Sequence, residues 1–253
     1  MSQMSTRVRR AVMTTAERFG VEEQAKRLRA MTNAGLRRDL RDHAALRLLL
    51  AATLRPGDSA IEVGAHTGDV LRDIVRLAPD GQHLAFEPLP DLFAGLEREF
   101  GAQANVALHR LALADERGET TFQHVLSAPG YSGLRRRDLP GTHEVREIPV
   151  QVERLDDVVP AGFVPRFMKV DVEGAELEVL RGARETLARH RPLLVFEHGQ
   201  GGIEHYGGTP GALHDLLVGD CGMRVFDLAG EGPYSRERFV EVFAEPIWNF
   251  LAR

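Results

Sequence analysis

Ile61-Glu62-Val63-Gly64-Ala65-His66-Thr67-Gly68-Asp69 is the stretch on which the fold turns. It leaves a short apolar strand, Ser59–Val63. It then enters a segment in which Val70, Leu71, Ile74 and Leu77 recur at helical spacing. Gly64 lets the backbone turn sharply and approach a ligand closely, and Gly68 lets the following helix pack near that turn. Free N–H groups at the helix start then face a carboxylate or a phosphate. The glycine spacing is G-x-x-x-G after an acidic residue, which departs from the G-x-G-x-x-G of dinucleotide sites. No GK[ST] follows, so a P-loop is excluded.

The pattern on the C-terminal side alternates. His83–Phe86 reads as a strand and Leu92, Phe93, Leu96 and Phe100 as a helix face. Val106–Leu111 is a third strand and Phe167–Val170 a fourth, followed by a helix carrying Leu177, Val179, Leu180 and Leu187. Leu193–Phe196 is a fifth strand, and Leu213, Leu216 and Leu217 mark a further helix. Met223–Phe226, Phe239–Phe243 and Ile247–Leu251 read as closing strands. Alternation of this kind predicts a parallel sheet covered on both faces. The late strands predict an antiparallel hairpin at one edge, with Trp248 packed on that edge. Residues 116–158 break the rhythm with strand-like pieces, Thr120–Val125 and Glu147–Val152, around a loop, Ser127–Gly141. They read as an insertion beside the mouth of the sheet. On the N-terminal side, Thr14 and Glu17 resemble a capping box. A second helix covers Ala34–Leu54 and stops at Pro56-Gly57. The expected organisation is therefore a helical cap, 1–55, and an α/β domain, 56–253.

The strand ends carry the chemistry. Phe86-Glu87-Pro88 ends the second strand, and Glu87 follows Gly64 by 23 residues. A carboxylate there accepts both hydroxyls of a ribose. Phe167-Met168-Lys169-Val170-Asp171-Val172-Glu173-Gly174-Ala175-Glu176 places Asp171 at the C-terminal end of the fourth strand, with Glu173 just beyond. The fifth strand ends in Phe196-Glu197-His198-Gly199. Three carboxylates and an imidazole thus meet at two neighbouring strand ends, where open α/β sheets bind ligands. Lys169 and Asp171, two apart, share a face of the strand.

With these pieces together, the chain resembles the FkbM-like S-adenosylmethionine-dependent methyltransferases from about Pro56 to Gly199, and more faintly to Trp248-Asn249-Phe250-Leu251. The matching pieces are Ile61–Gly68, Phe86–Pro88, Leu111–Asp115, Val152–Asp157 and Phe167–Gly174, with Glu62 and His66 standing where the family pattern has Asp and Asn. The resemblance implies a class I methyltransferase (Rossmann-like) fold, with a seven-stranded, mostly parallel sheet and S-adenosylmethionine as cofactor. It implies a cofactor site at Glu62, Gly64, Ala65, His66, Gly68, Glu87, Pro88, Leu113 and Asp171. In that site Gly64 to Gly68 cradle the methionine end, Glu87 holds the ribose and the Leu111–Asp115 turn lies near adenine. It further implies O-methylation of a sugar or natural-product hydroxyl. Such a reaction needs a base for the acceptor's proton. His198 is the first candidate because of its unperturbed pKa, ahead of Asp171, Glu173 and Glu197. The carboxylates have two alternative roles, binding acceptor hydroxyls or holding Mg²⁺. The metal ranks last because no dense acidic motif enforces it.

Composition bounds the alternatives. With 253 residues, 43% of them hydrophobic, the chain has enough apolar surface for a core. The single cysteine, Cys221, excludes an intramolecular disulfide and a Cys-based zinc cluster. No apolar run of about 18 residues is present, so no span and no membrane partner are expected. Arg7, Arg9 and Arg10 precede no apolar stretch, so a cytoplasmic protein is expected. Residues 1–55 hold 12 basic and 5 acidic side chains, a net of +7, which leaves −12 of the overall −5 to the other 198. Such a basic segment raises nucleic-acid methylation as an alternative. However, Phe19 is its only aromatic, and Asp-Val-Glu-Gly stands where an Asn-Pro-Pro-Tyr-like motif is needed. A non-catalytic S-adenosylmethionine-binding partner subunit and an NAD-dependent dehydrogenase complete the alternatives, the latter weakened by the glycine spacing. The expected partner is a small hydroxylated acceptor, sugar or polyketide-like, with a homo-oligomer left open.

Overall fold

In a computed structural model of the chain, residues 34–136, 142–245 and 247–253 are described. The helix expected from Thr14 lies outside them. The polypeptide divides into two compact units, Met1–Leu46 and Arg47–Arg253. The described part of the first opens helix α1, Ala34–Thr53. Among the described residues no helix is long and apolar enough to cross a membrane.

The second unit is built on a seven-stranded sheet. Its elements are β1 (Ser59–Val63), α2 (Asp69–Leu77), β2 (His83–Phe86), α3 (Pro90–Phe100) and β3 (Val106–His109). After an insertion come β7 (Pro165–Val170), α5 (Glu176–Gly182), α6 (Arg184–His190), β8 (Leu193–Glu197), α7 (Pro210–His214), β9 (Val225–Asp227), α8 (Arg236–Val242) and β10 (Asn249–Ala252). The strand order is β3-β2-β1-β7-β8-β10-β9. Neighbours pair in parallel except β10, which runs antiparallel to both β8 and β9. The central strands are buried on both faces, so they are near-continuous apolar runs rather than alternating ones. One face packs Ile61, Val63, Met168, Val170, Leu194 and Phe196 against helical residues such as Leu177, Leu180, Leu213 and Phe239. On the other, Ala65 and Ala85 meet Leu71, Leu96 and Phe100 of α2 and α3.

The insertion forms a second sheet. β5 (Gly118–Val125) and β6 (Val145–Glu153) pair antiparallel from Gly118↔Val152 to Val125↔Val145, and β4 (Ala112–Leu113) joins β6 in parallel. Gln123 and Gly133 exchange backbone hydrogen bonds, which folds the intervening loop back onto β5. The short helix α4 (Leu155–Val158) returns the chain to β7. Its Asp156 accepts from the backbone N–H groups of Glu185 (2.8 Å) and Thr186 (2.9 Å), capping the start of α6.

Two expectations about the end of the chain are corrected. Phe239–Phe243 is not a strand, because Arg236–Val242 is helix α8. Ser235 caps it, its Oγ accepting from Arg238 N at 3.2 Å. Phe239 and Val242, three apart, are its buried residues, so the periodicity is helical and the apparent alternation is incidental. The last strands do pair antiparallel at one edge of the sheet, β10 with β9, although α8 separates them in the chain; the expectation that changes is the place of Trp248. β10 inserts between β8 and β9, so Trp248 precedes an interior strand and packs over Gly199, where a Cβ would lie 2.8 Å from the indole nitrogen.

A Cβ at Gly182, the last residue of α5, would overlap the carbonyl oxygen of Ala114. Alanine gains about 1 kcal/mol of helix propensity over glycine, whereas overpacking against fixed backbone costs about 1–3 kcal/mol. Gly182→Ala is therefore expected to lower the urea midpoint. A midpoint equal to or above that of the parent protein would show that the two elements are not in fixed contact.

Candidate active site

The registers align the strand ends. Val63 pairs with Phe86 of β2 and Val170 of β7, and Val170 pairs with Phe196 of β8. One residue further on, Glu87, Gly64, Asp171 and Glu197 stand in a row on one face of the sheet. Asn249 of β10 pairs with Glu197 and extends the row. Gly64 has φ 81°, and a Cβ there would overlap the Asp171 carbonyl oxygen, so glycine is what lets β1 and β7 close at this point. Gly68 has φ 77°, and its Cβ would come within 2.8 Å of both Leu96 and Phe100. The N–H groups of Gly64 and Ala65 both donate to the Phe86 carbonyl at 3.0 Å.

Glu87 ties the glycine turn to β2. Its Oε2 accepts from His66 N at 2.8 Å and its Oε1 from Leu89 N at 2.9 Å. The residue is only 4% exposed. Burial pushes its carboxyl above the usual range, opposed by those two N–H groups. Each oxygen accepts one hydrogen bond and keeps a lone pair for a further donor, an arrangement that fits the two hydroxyls of a ribose. At the other end of the turn, Gly68 occupies the N-cap of α2 without a side chain to cap it, leaving the helix N-terminus to a ligand. Both features fit an adenosyl cofactor with an amino-acid end, and Glu87, Gly64, His66 and Gly68 are the residues that would hold it.

The carboxylates gather on the β7–β8 side. Asp171, Glu173 and Glu197 each bring an oxygen to within 4.8 Å of the others. Lys169 Nζ donates to Asp171 Oδ2 at 2.7 Å. Asp171 and Glu197 are hydrogen-bonded to each other. Burial acts to raise the Asp171 carboxyl, but the Lys169 charge and the hydrogen bonds from Glu197 and Lys169 hold it below its usual value. Burial and the charges of Asp171 and Glu173 hold Glu197 well above its own, so Glu197 carries the proton of the pair. Behind them Glu62 is 2% exposed, and burial pushes it up to about 8 against the pull of Lys169. An ammonium and a shared proton thus offset part of the negative charge of this cluster.

The turn after β7 is held by a residue that sequence reasoning passed over. Glu176 Oε1 accepts from Val172 N (3.0 Å) and Gly174 N (3.2 Å), fixing Glu173, which has φ 61°. Burial pushes Glu176 up to about 7, opposed by those N–H groups. The signal was present as an acidic residue in the first turn of α5, directly after Glu-Gly-Ala. Gly174, with φ 111°, packs against Gly202 of the loop after β8.

Three expected site residues turn their side chains away from the row. His198 follows Glu197 directly, and the pleat sends it to the opposite face. Its ring, 1% exposed, stacks on Phe239 at 5.4 Å and contacts Phe243 and Phe250. Burial lowers its pKa to about 4. Leu113, expected near adenine, is 2% exposed within the main core. Ala65 turns its methyl into the cluster under α2 and α3. Pro88 is half-buried beside Glu87. Cys221 is buried, with its thiol pushed up to about 11. The insertion reaches over the row. A Cβ at Gly130 would lie 3.9 Å from His66 Nε2, and one at Gly133 would lie 3.1 Å from Tyr206 Oη. Arg135 N donates to that same hydroxyl at 3.1 Å, joining the insertion to the loop after β8.

Comparison with known proteins agrees with this geometry. Over 149 residues the chain is 32% identical to "Methyltransferase 1" of Beauveria bassiana, a match covering 50% of this chain and 59% of that protein. It is 25% identical over 173 residues to the 2-O-methyltransferase NoeI of Sinorhizobium fredii, covering 62% of this chain and 70% of the relative. It is 31% identical over 164 residues to the hexuronic acid methyltransferase AglP of Haloferax volcanii, covering 64% of each. Among solved structures, the methyltransferase FkbM of Methylobacillus flagellatus superposes with a TM-score of 0.50 at 15% identity, over 79% of this chain and 44% of that one, and shares its fold. The family model described as the methyltransferase FkbM domain matches residues 62–225, and the chain belongs to that family.

Proposed function

We propose that this protein is an S-adenosylmethionine-dependent O-methyltransferase that methylates a hydroxyl of a small acceptor, a sugar or a natural-product scaffold. The observation that carries the reading is the clustering of Asp171, Glu173 and Glu197, with oxygens within 4.8 Å of one another and Lys169 on Asp171, beside the buried Glu87 in the same row of strand ends. The named activities of NoeI and AglP, a 2-O-methyltransferase and a hexuronic acid methyltransferase, support the acceptor class.

When bound, the cofactor supplies an electrophilic methyl carbon on a sulfonium. Glu87 holds the ribose, and the Gly64–Gly68 turn faces the methionine end. Asp171, ionised beside Lys169, accepts the acceptor's hydroxyl proton, so the O–H bond breaks as the new O–C bond forms in place of the methyl's bond to sulfur, whose electron pair stays on the departing thioether. Protonated Glu197 donates to Asp171 and keeps the pair at a single negative charge. Glu173, fixed by Glu176, is placed to accept a hydrogen bond from a second acceptor hydroxyl. Holding the oxygen about 3 Å from the methyl carbon contributes more than the base does, roughly 7–11 kcal/mol at best against about 3–5 kcal/mol.

Asp171→Asn is expected to lower turnover by about 10²–10⁴-fold while calorimetric S-adenosylhomocysteine affinity stays within about threefold. Full turnover in this variant would remove Asp171 from the base role. Glu87→Ala is expected to weaken S-adenosylhomocysteine binding by about tenfold or more, the loss of hydrogen bonds to a charged group. An unchanged Kd would place the ribose elsewhere. For His198 the sign follows from burial. Its folded pKa of about 4 lies below the unfolded 6.5, so the native state binds fewer protons between these values and loses stability as pH falls through that window. His198→Phe should therefore show a melting-temperature advantage over the parent that widens from pH 7.5 to pH 5. A constant difference, or a turnover loss of about 10²-fold, would return His198 to the catalytic candidates.

A further inference from the structure

Lys169 is a buried charge that the outlined reaction does not touch. Its side chain is 12% exposed, and its neighbours on β7, Met168 and Val170, are fully buried. Register sets it directly opposite Glu62 on β1 and Val195 on β8. Glu62 Oε2 is buried and has no hydrogen-bond partner. Stripping an ammonium of water costs several kcal/mol, and an apolar residue of similar volume at such a position is often as stable or more so. A methionine here would continue the apolar run that the rest of β7 follows. Stability therefore does not account for the lysine, whereas its 2.7 Å bond to Asp171 points at the site.

We infer that Lys169, set opposite Glu62 by the strand register, is a positioning residue for methyl transfer, pinning one oxygen of Asp171 so that this carboxylate stays charged and oriented toward the acceptor's hydroxyl. The inference rests on the methyltransferase reading above. Its logic is electrostatic. Asp171 is faced by Glu62 from β1, Lys169 from β7, Glu197 from β8, His66 from the glycine turn, and Glu173 and Glu176 from the turn after β7. Four of these six are carboxyls. With the lysine removed, the cluster holds several acids and loses its buried cation, and the favourable place for a proton becomes Asp171 itself. A protonated Asp171 cannot accept the hydroxyl proton of the acceptor. The burial of the acidic group is eased because burial raises Glu62 to about 8 and holds Glu197 well above the usual carboxylate range, so that of the Asp171–Glu197 pair it is Asp171 that carries the charge facing Lys169.

The test compares Lys169→Met, Lys169→Gln and Lys169→Arg in the full chain with S-adenosylmethionine and a methylated acceptor. Lys169→Met and Lys169→Gln should lose about 10²-fold or more in kcat, with the Kd for S-adenosylhomocysteine and the acceptor KM within about threefold. The acid limb of the kcat profile should move up by about one pH unit or more. Lys169→Arg should recover about tenfold of the loss by restoring the charge. A kcat within threefold of the parent, or a loss with the acid limb unmoved, overturns the inference. If the neutral variants do not fold, carbon-13 titration of aspartate carboxyls in the intact protein decides: Asp171 should remain ionised down to about pH 4, and protonation above about pH 5 overturns the inference. A parent protein that binds the cofactor yet methylates no acceptor sinks the functional reading instead. The titration still reads the Lys169–Asp171 pair in that case.

Discussion

A side chain at Gly64 would overlap the carbonyl oxygen of Asp171, so the ends of β1 and β7 close on each other only because that residue is glycine. The two strands are neighbours at the centre of the sheet, and each leads into a turn that carries half of the site. β1 leads to the glycine turn and Glu87's anchor on His66 N. β7 leads to Asp171 and the Glu173 turn. If these ends stood apart by the width of a methyl group, the row from Glu87 to Glu197 would lose its spacing. Glu87, Asp171 and Glu197 would then no longer share one face.

Around that contact the polar groups are held from inside the protein. Glu87 uses both oxygens on backbone N–H groups, and Glu176 takes two N–H groups of the turn that presents Glu173 on its single Oε1. Lys169 bonds Asp171, and Asp171 bonds Glu197. Each buried carboxyl is therefore either neutral or matched by a donor, as the low-dielectric interior requires. Preorganisation of this kind suits a displacement reaction, in which geometry and one proton transfer are most of what the protein contributes. The bond from Arg135 N to the Tyr206 hydroxyl extends the same order to the two loops above the row.

The fold and the geometry of the glycine turn with Glu87 were legible because they rest on local chemistry. Alternating apolar runs announced the parallel sheet, and Gly64, Gly68 and Glu87 stood at spacings that few other structures need. The acceptor half was read less well, and the misreading of His198 shows why. Residue type suggested a base, but Glu197 and His198 are consecutive on a strand and cannot face the same way. The parity that correctly joined Lys169 to Asp171 would have separated His198 from Glu197. Phe239–Phe243 failed for a related reason. Five residues with apolar ends suit either period, and only the Ser235 cap and the burial of Phe239 and Val242 select the helix.

By itself the sequence determined the order of elements, the strand ends where function gathers and the residue types there, because periodicity and glycine geometry act over a few neighbouring residues. It also set the family to which the chain belongs. Only the tertiary structure decided which of those residues meet. It paired Asp171 with Glu197 across adjacent strands, set Glu62 behind Lys169 and sent His198 into a cage of phenylalanines. It also sank Leu113 into the core and put β10 inside the sheet rather than at its edge. The physical reason is that strand register and the choice of sheet face are set by long-range packing, and in strands buried on both sides the apolar pattern carries no parity from which to read them.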